Sequence, residues 1–178
     1  MLRYDELGLC LGRDTVGSSH RLSIFADYFQ FLVVDIESKD DFSTLWTDEA
    51  VERMVAVGDT AISLGTLRNV EVEVEIHVVD ELPNLPLVGY DHVSEGSFES
   101  PTGLLAVMGC ADFLPDAYRV DLPRGSYQFV YLVRGVDSIT DEWSPASDLY
   151  ILYLSPGDKR QPELVKDWKT TMQLKSSN

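Results

Sequence analysis

Nine consecutive residues constrain this chain more than any others: Val70-Glu-Val-Glu-Val-Glu-Ile-His-Val78 alternates apolar and polar side chains without a fault. Side chains on an extended strand point to opposite faces in turn. Val70, Val72, Val74, Ile76 and Val78 therefore share one face, and Glu71, Glu73, Glu75 and His77 share the other. A helix would smear both sets around its circumference. The segment reads as a half-buried strand with one wet face, the pattern of an antiparallel sheet laid over a core.

Runs rich in aromatic and β-branched residues predict further strands at Arg21–Ile36, Ala61–Thr66, Leu104–Cys110, Tyr118–Leu122, Tyr127–Val133 and Leu149–Leu154. Turn chemistry separates them, as in Asp121-Leu-Pro-Arg-Gly-Ser126, where Pro123 and Gly125 mark a tight connection. Many short strands with regular turns predict an all-β fold, an antiparallel β-sandwich. One short internal helix is expected after Thr47, a residue suited to capping, with Asp48 and Glu49 in the first turn where the helix dipole favours anions. Val51, Met54 and Val55 recur on one face of it, and Gly58 is the expected stop. A second short helix is expected over Pro162–Leu174, with Leu164, Val165 and Trp168 on one face. Pro83 to Pro101 reads as a long loop holding a short strand. At 178 residues the chain suits a single domain, 1–178.

The charge distribution is the next constraint. Net charge is −16, and residues 35–99 hold 16 of the 30 acids against 3 of the 14 bases. Binding to nucleic acid needs a Lys/Arg stripe that displaces counterions, so a nucleic-acid ligand is excluded as an expectation, and an anionic membrane surface with it. A basic protein partner fits the field better. Met1 to Leu11 carries Asp5 and Glu6 where a secretory leader is cationic, and no stretch of about 20 apolar residues occurs, so a cytoplasmic location is expected. Cys10 and Cys110 stand alone without CxxC spacing and read as two buried thiols; whether they ever pair stays open.

Catalytic chemistry finds little support. His20, His77 and His92 form no HxH or HExxH pattern, and no Gly-x-Ser-x-Gly elbow, P-loop or GxGxxG is present. Ser18, Ser19 and His20 are adjacent, but a triad is defined by spatial geometry. The chain is therefore read as a non-enzyme without cofactor or resident metal. One rival is a calcium-dependent β-sandwich module using Asp35, Glu37, Asp40, Asp41, Asp91 and Asp112, although no DxDxDG run gathers them. The other is an acidic structural or oligomeric protein, and homo-oligomer formation stays open.

The acidic stretch itself supplies the candidate partner-binding residues. Glu71, Glu73 and Glu75 project from one strand face roughly 6.7 Å apart. That row is several-fold sparser than duplex DNA, with one charge per about 1.7 Å, so neighbouring elements must contribute to any anionic plate. Asp48, Glu49 and Glu52 on the helix and Asp40 and Asp41 before it are the contributors, with Trp46 as a candidate anchor.

Three blocks resemble a known family. Trp46-Thr-Asp-Glu-Ala50, Gly58-Asp-Thr-Ala-Ile-Ser-Leu-Gly-Thr-Leu-Arg-Asn69 and Asp121-Leu-Pro-Arg-Gly-Ser-Tyr-Gln-Phe-Val-Tyr-Leu-Val133 are similar, in order, to the competence protein J family. With the flanking strands the resemblance covers about Ser23 to Leu154, leaving 1–20 and 155–178 as extensions of a 23–154 core. It implies a small protein with no activity of its own that binds and blocks a nuclease, either as an inhibitor in competent bacteria or as an immunity protein beside a nuclease toxin. It carries no inhibitory residues across, so the candidate set rests on electrostatics alone.

Overall fold

The structure is a computed structural model that describes residues 17–176. Eleven strands build two facing sheets: β1 (Ser18–Phe25), β2 (Gln30–Asp35), β3 (Val55–Val57), β4 (Ala61–Gly65), β5 (Glu71–Val78), β6 (His92–Ser100), β7 (Leu104–Gly109), β8 (Tyr118–Asp121), β9 (Gly125–Arg134), β10 (Leu149–Pro156) and β11 (Glu163–Lys166). One sheet runs β1-β5-β10-β9-β6-β11 and the other β3-β4-β2-β7-β8. All pairings are antiparallel except β5 with β10, which is parallel, so the expected sandwich is present with one mixed seam.

β5 behaves as its alternation dictates. Val72, Val74, Ile76 and Val78 are buried in the space between the sheets, where they meet Phe31, Val33, Ile62, Leu64, Tyr131 and Leu152. Each such burial contributes about 1.5–3 kcal/mol, which outweighs the repulsion among exposed carboxylates on the far face, at most about 1 kcal/mol per neighbouring pair. β9 and β10 are apolar on both faces for a second reason. Val130, Leu132, Leu149 and Ile151 form a smaller outer cluster with Val93, covered by Leu82, Leu85 and Tyr90 of the 79–91 loop.

The long expected strand Arg21–Ile36 is broken, and the break carries the chain from one sheet to the other. Ala26 is fully buried and its N–H donates to the Val70 carbonyl. Tyr28 and Phe29 then adopt left-handed backbone angles, which turns the chain so that β2 starts in the opposite sheet. β6 also departs from expectation, for it is a nine-residue strand rather than a short one inside a loop. Its polar residues hid it: Ser94, Ser97 and Ser100 are buried but donate to the Arg53 carbonyl, the Arg160 carbonyl and the Asp35 carboxylate.

The first helix, α1 (Asp48–Arg53), starts where expected, with the Thr47 hydroxyl accepting from the Ala50 N–H at 3.3 Å. It ends earlier than Gly58, at Met54 in a left-handed cap, because Val55 onward is claimed by pairing with β4. Met54 and Val55 are buried, but Val51 is 57% exposed rather than part of the core face. The expected helix Pro162–Leu174 is split. Glu163–Lys166 forms β11 on the free edge of β6, and the second helix, α2, spans Trp168–Ser176. A sheet edge offering unpaired backbone groups decides that outcome, and Leu164, Val165 and Trp168 therefore share no helix face. No helix among the described residues is long and apolar enough to cross a membrane.

Candidate protein-interaction surface

The nine candidate residues fall into three places. Glu71, Glu73 and Glu75 lie on the outer face of β5, beside the edge strand β1, where Phe25, Ser23 and Arg21 are their register partners. The Arg21 guanidinium sits 3.3 Å from Glu73 and 3.8 Å from Glu75, so the chain's own base screens two of the three carboxylates. His77 continues the face, stacked on Tyr153 with ring centroids 4.6 Å apart; it bonds the Ser19 hydroxyl at 2.9 Å and lies 3.5 Å from Glu75. This Ser-His-Glu chain lies on the outer surface of the sheet.

Asp40 is committed to the fold. Its carboxylate accepts from the N–H groups of Thr60 (2.7 Å) and Asp59 (3.1 Å) and from the hydroxyls of Thr60 and Ser38. Partial burial pushes its carboxyl up, but those four bonds outweigh it and hold the group below the usual carboxylate range. Asp41 caps the short turn Phe42–Thr44 by accepting from the Ser43 N–H at 2.9 Å.

Asp48, Glu49 and Glu52 form the third group. All are exposed on α1, which packs on β3 and β11. In sheet order β11 is separated from β5 by β10, β9 and β6, a span of about 19 Å at the usual strand spacing. The carboxylates are therefore not one continuous plate. On α1 none of the three forms an ion pair among the described residues. The Glu49 carboxyl is held low by its own backbone N–H, then by the Thr47 hydroxyl and by Arg53 one turn on.

Trp46, just before α1, brings in residues that the sequence pattern did not single out. Its indole N–H donates to Gln30 Oε1 at 2.7 Å, and the Ser63 hydroxyl donates to the same oxygen at 2.5 Å. Trp46 thereby lines a groove of about 340 Å³ walled by Tyr28 and Phe29, by Val51 and Met54, by the turn Gly65–Leu67 and by Trp168 of α2. Tyr28 is 77% exposed and Phe29 44%. Tyr28, Phe29 and Met54 are the non-glycine residues with positive φ among the described residues, and all three line this groove. Such conformations cost about 1–3 kcal/mol each and persist only where the surroundings enforce them. Here the Tyr28 N–H donates to Asn69 Oδ1 at 3.0 Å, the Thr66 N–H to the Phe29 carbonyl at 2.8 Å and the Gly65 N–H to the Met54 carbonyl at 2.7 Å. Tyr28 and Phe29 carry no sequence mark because their left-handed turn sits inside a run rich in aromatic and β-branched residues.

The acids considered for calcium are dispersed. Asp35 accepts from Ser100 and Thr102, Asp91 from the Val136 N–H and Asp112 from the Gly109 N–H. Among the described residues no group of three or more His, Cys, Asp or Glu side chains is placed to hold a metal ion. Cys110 is half-buried, and burial, with Asp27 and Asp112 nearby, pushes its thiol up to about 11. Cys10 and most of the expected N-terminal extension lie outside the described residues.

No curated protein matches the chain. Two solved structures share its fold. The crystal structure of ComJ from Bacillus subtilis, described as an inhibitor of the DNA-degrading activity of NucA, is 22% identical with a TM-score of 0.59, covering 80% of this chain and 100% of that one. The product of crocagin biosynthetic gene J is 17% identical with a TM-score of 0.58, covering 81% and 100%. The profile of the Competence protein J (ComJ) family matches residues 23–154, the segment that runs from β1 through β10 and carries Trp46, α1 and the Glu row. With about three quarters of its length in that match, the chain belongs to the ComJ family.

Proposed function

We propose that this protein is a non-enzymatic inhibitor of a nuclease, acting in the cytoplasm by covering a basic surface of its partner. Family membership supports the class, since the solved ComJ relative is described as an inhibitor of NucA. The observation that carries the reading in this chain is local. Three exposed carboxylates on α1, with no ion pair among the described residues, stand beside an aromatic groove. A nuclease presents cations where phosphate binds, and carboxylates at that place compete for the same field. Charge complementarity of this kind speeds encounter and selects the partner, while desolvated apolar contacts supply affinity. At −16 the protein repels nucleic acid, so it acts on the enzyme and not on the DNA.

The test is degradation of DNA by purified NucA with increasing amounts of the full chain. Stoichiometric loss of nuclease activity is expected, and undiminished activity at saturating protein overturns the proposal. The double charge reversal Asp48→Lys with Glu52→Lys is expected to slow association, more strongly as salt is lowered. Glu71→Lys with Glu73→Lys is expected to do less, because Arg21 already screens Glu73. A larger effect from the β5 pair moves the interface to that strand.

A further inference from the structure

We infer that the groove beside α1 is the anchoring slot of the interface, and that it takes one aromatic or long aliphatic side chain from the basic surface of the nuclease. The inference rests on the inhibitor reading above and adds the residue chemistry of the contact. The groove's walls are apolar, and its single charged lining residue is Lys169 on α2. The carboxylates stand outside the lining, on the helix that lends Val51 to it, where Asp48 lies one helical turn before Val51. A partner side chain seated in the slot therefore has lysines or arginines of its own surface facing α1, which commits the occupant to a basic protein.

The backbone supports a purpose-built cleft. Every non-glycine residue with positive φ among the described residues lines it, and in a bulky residue that conformation is an outlier concentrated at ligand clamps and switch regions. Without the left-handed pair at Tyr28 and Phe29, β1 would run on into β2 and the exposed rings would not meet Trp46 across the opening.

The last wall comes from outside the family-matched segment. Trp168 belongs to α2, beyond residue 154, and packs on the core cluster while lining the groove. The 23–154 segment supplies the other lining residues and the carboxylates beside them on α1, and this chain's C-terminal helix closes the side. The width of the slot, and with it the choice of partner side chain, is set by α2.

The experiment compares wild-type chain with Tyr28→Asn, Val51→Gln and Trp168→Ala in binding kinetics against purified NucA. Tyr28 and Val51 are exposed, and asparagine tolerates left-handed angles, so the first two variants keep the fold; melting curves check the third. Each is expected to weaken binding by about tenfold to thirtyfold through faster dissociation, with association rate and salt dependence unchanged. This pattern is opposite to that of the Asp48→Lys and Glu52→Lys pair. Wild-type dissociation rates in Tyr28→Asn and Val51→Gln overturn the groove while leaving the inhibitor reading intact. A wild-type chain that fails to bind NucA overturns both. A wild-type dimer in sedimentation that Val51→Gln converts to monomer also overturns the inference, by making the slot a contact between copies.

Discussion

The Arg68 guanidinium meets the Asp148 carboxylate through two parallel bonds, Nε to Oδ2 at 3.1 Å and Nη2 to Oδ1 at 2.5 Å, with both side chains almost fully buried. The pair ties the turn after β4 to the segment entering β10. Arg68 Nη1 also donates to the Ser144 carbonyl, and the Tyr150 hydroxyl donates to Asp148 while accepting from the Leu67 N–H. Leu67 lines the groove, so this buried network positions that wall of the slot. Removing one partner leaves an uncompensated buried charge. Asp148→Ala is expected to destabilise the fold by about 3–5 kcal/mol in urea unfolding, and adding Arg68→Met should restore part of that loss.

The α1 cap gives a smaller effect. Replacing Thr47 with alanine removes the acceptor for the Ala50 N–H, and a loss of about 1 kcal/mol is expected in thermal unfolding. An unchanged melting temperature would show that the pairing of β3 alone holds the helix.

Asp40 separates a structural carboxylate from an interacting one. Asp40→Ala frees two backbone donors of the Gly58–Thr60 turn and should cost about 1–3 kcal/mol of stability, with nuclease binding unaltered at temperatures where the variant is folded. Because folding holds this carboxyl below its ordinary value, its contribution is present above that value and is lost as pH falls below it. Calorimetric melts of wild type and variant between pH 7 and about pH 3 should therefore converge at the acid end.

His92 predicts a second pH dependence. It opens β6 and is fully buried against the end of α1, with Nε2 2.9 Å from the Arg53 carbonyl and near Ser94 Oγ. A carbonyl only accepts, so the neutral ring carries its proton on Nε2; Nδ1 is buried with no partner among the described residues. Burial lowers its proton affinity, outweighing the Arg53 bond and Asp167, which favour the charged ring, while Lys169 acts with burial. The unfolded chain therefore binds this proton more tightly than the folded one. Stability is full above the ordinary histidine range, near pH 6.5, and falls below it. His92→Gln, which keeps a donor toward the Arg53 carbonyl, should flatten the stability profile between about pH 6.5 and pH 5. An identical slope in wild type and variant would show that other groups carry the acid sensitivity.

Much of the fold was legible because its signals are local. β5 declared both faces through a period of two, Thr47-Asp-Glu announced the start of α1, and the aromatic and β-branched runs of β4, β7, β8, β9 and β10 were located to within a few residues. β6 was not, since Ser94, Ser97 and Ser100 are polar residues whose burial depends on partners 41, 63 and 65 positions away. The β11 segment reads as helix in the sequence because the free edge of β6 that recruits it is invisible from residues 162–174.

The candidate site divides along the same line. Composition and spacing by themselves determined that the middle of the chain is anionic, that β5 has one charged face and that α1 begins with carboxylates, since charge and alternation belong to neighbouring residues. Tertiary structure alone decided which carboxylates remain available. Arg21 comes to Glu73 across a strand pair, Asp40 turns to Thr60, and α1 keeps Asp48, Glu49 and Glu52 outward. It also decided that Tyr28, Trp46, Val51 and Trp168, drawn from three separated segments, meet around one groove. Such a meeting depends on the order of strands in two sheets and on a left-handed turn between them, and neither leaves a periodic mark in the chain.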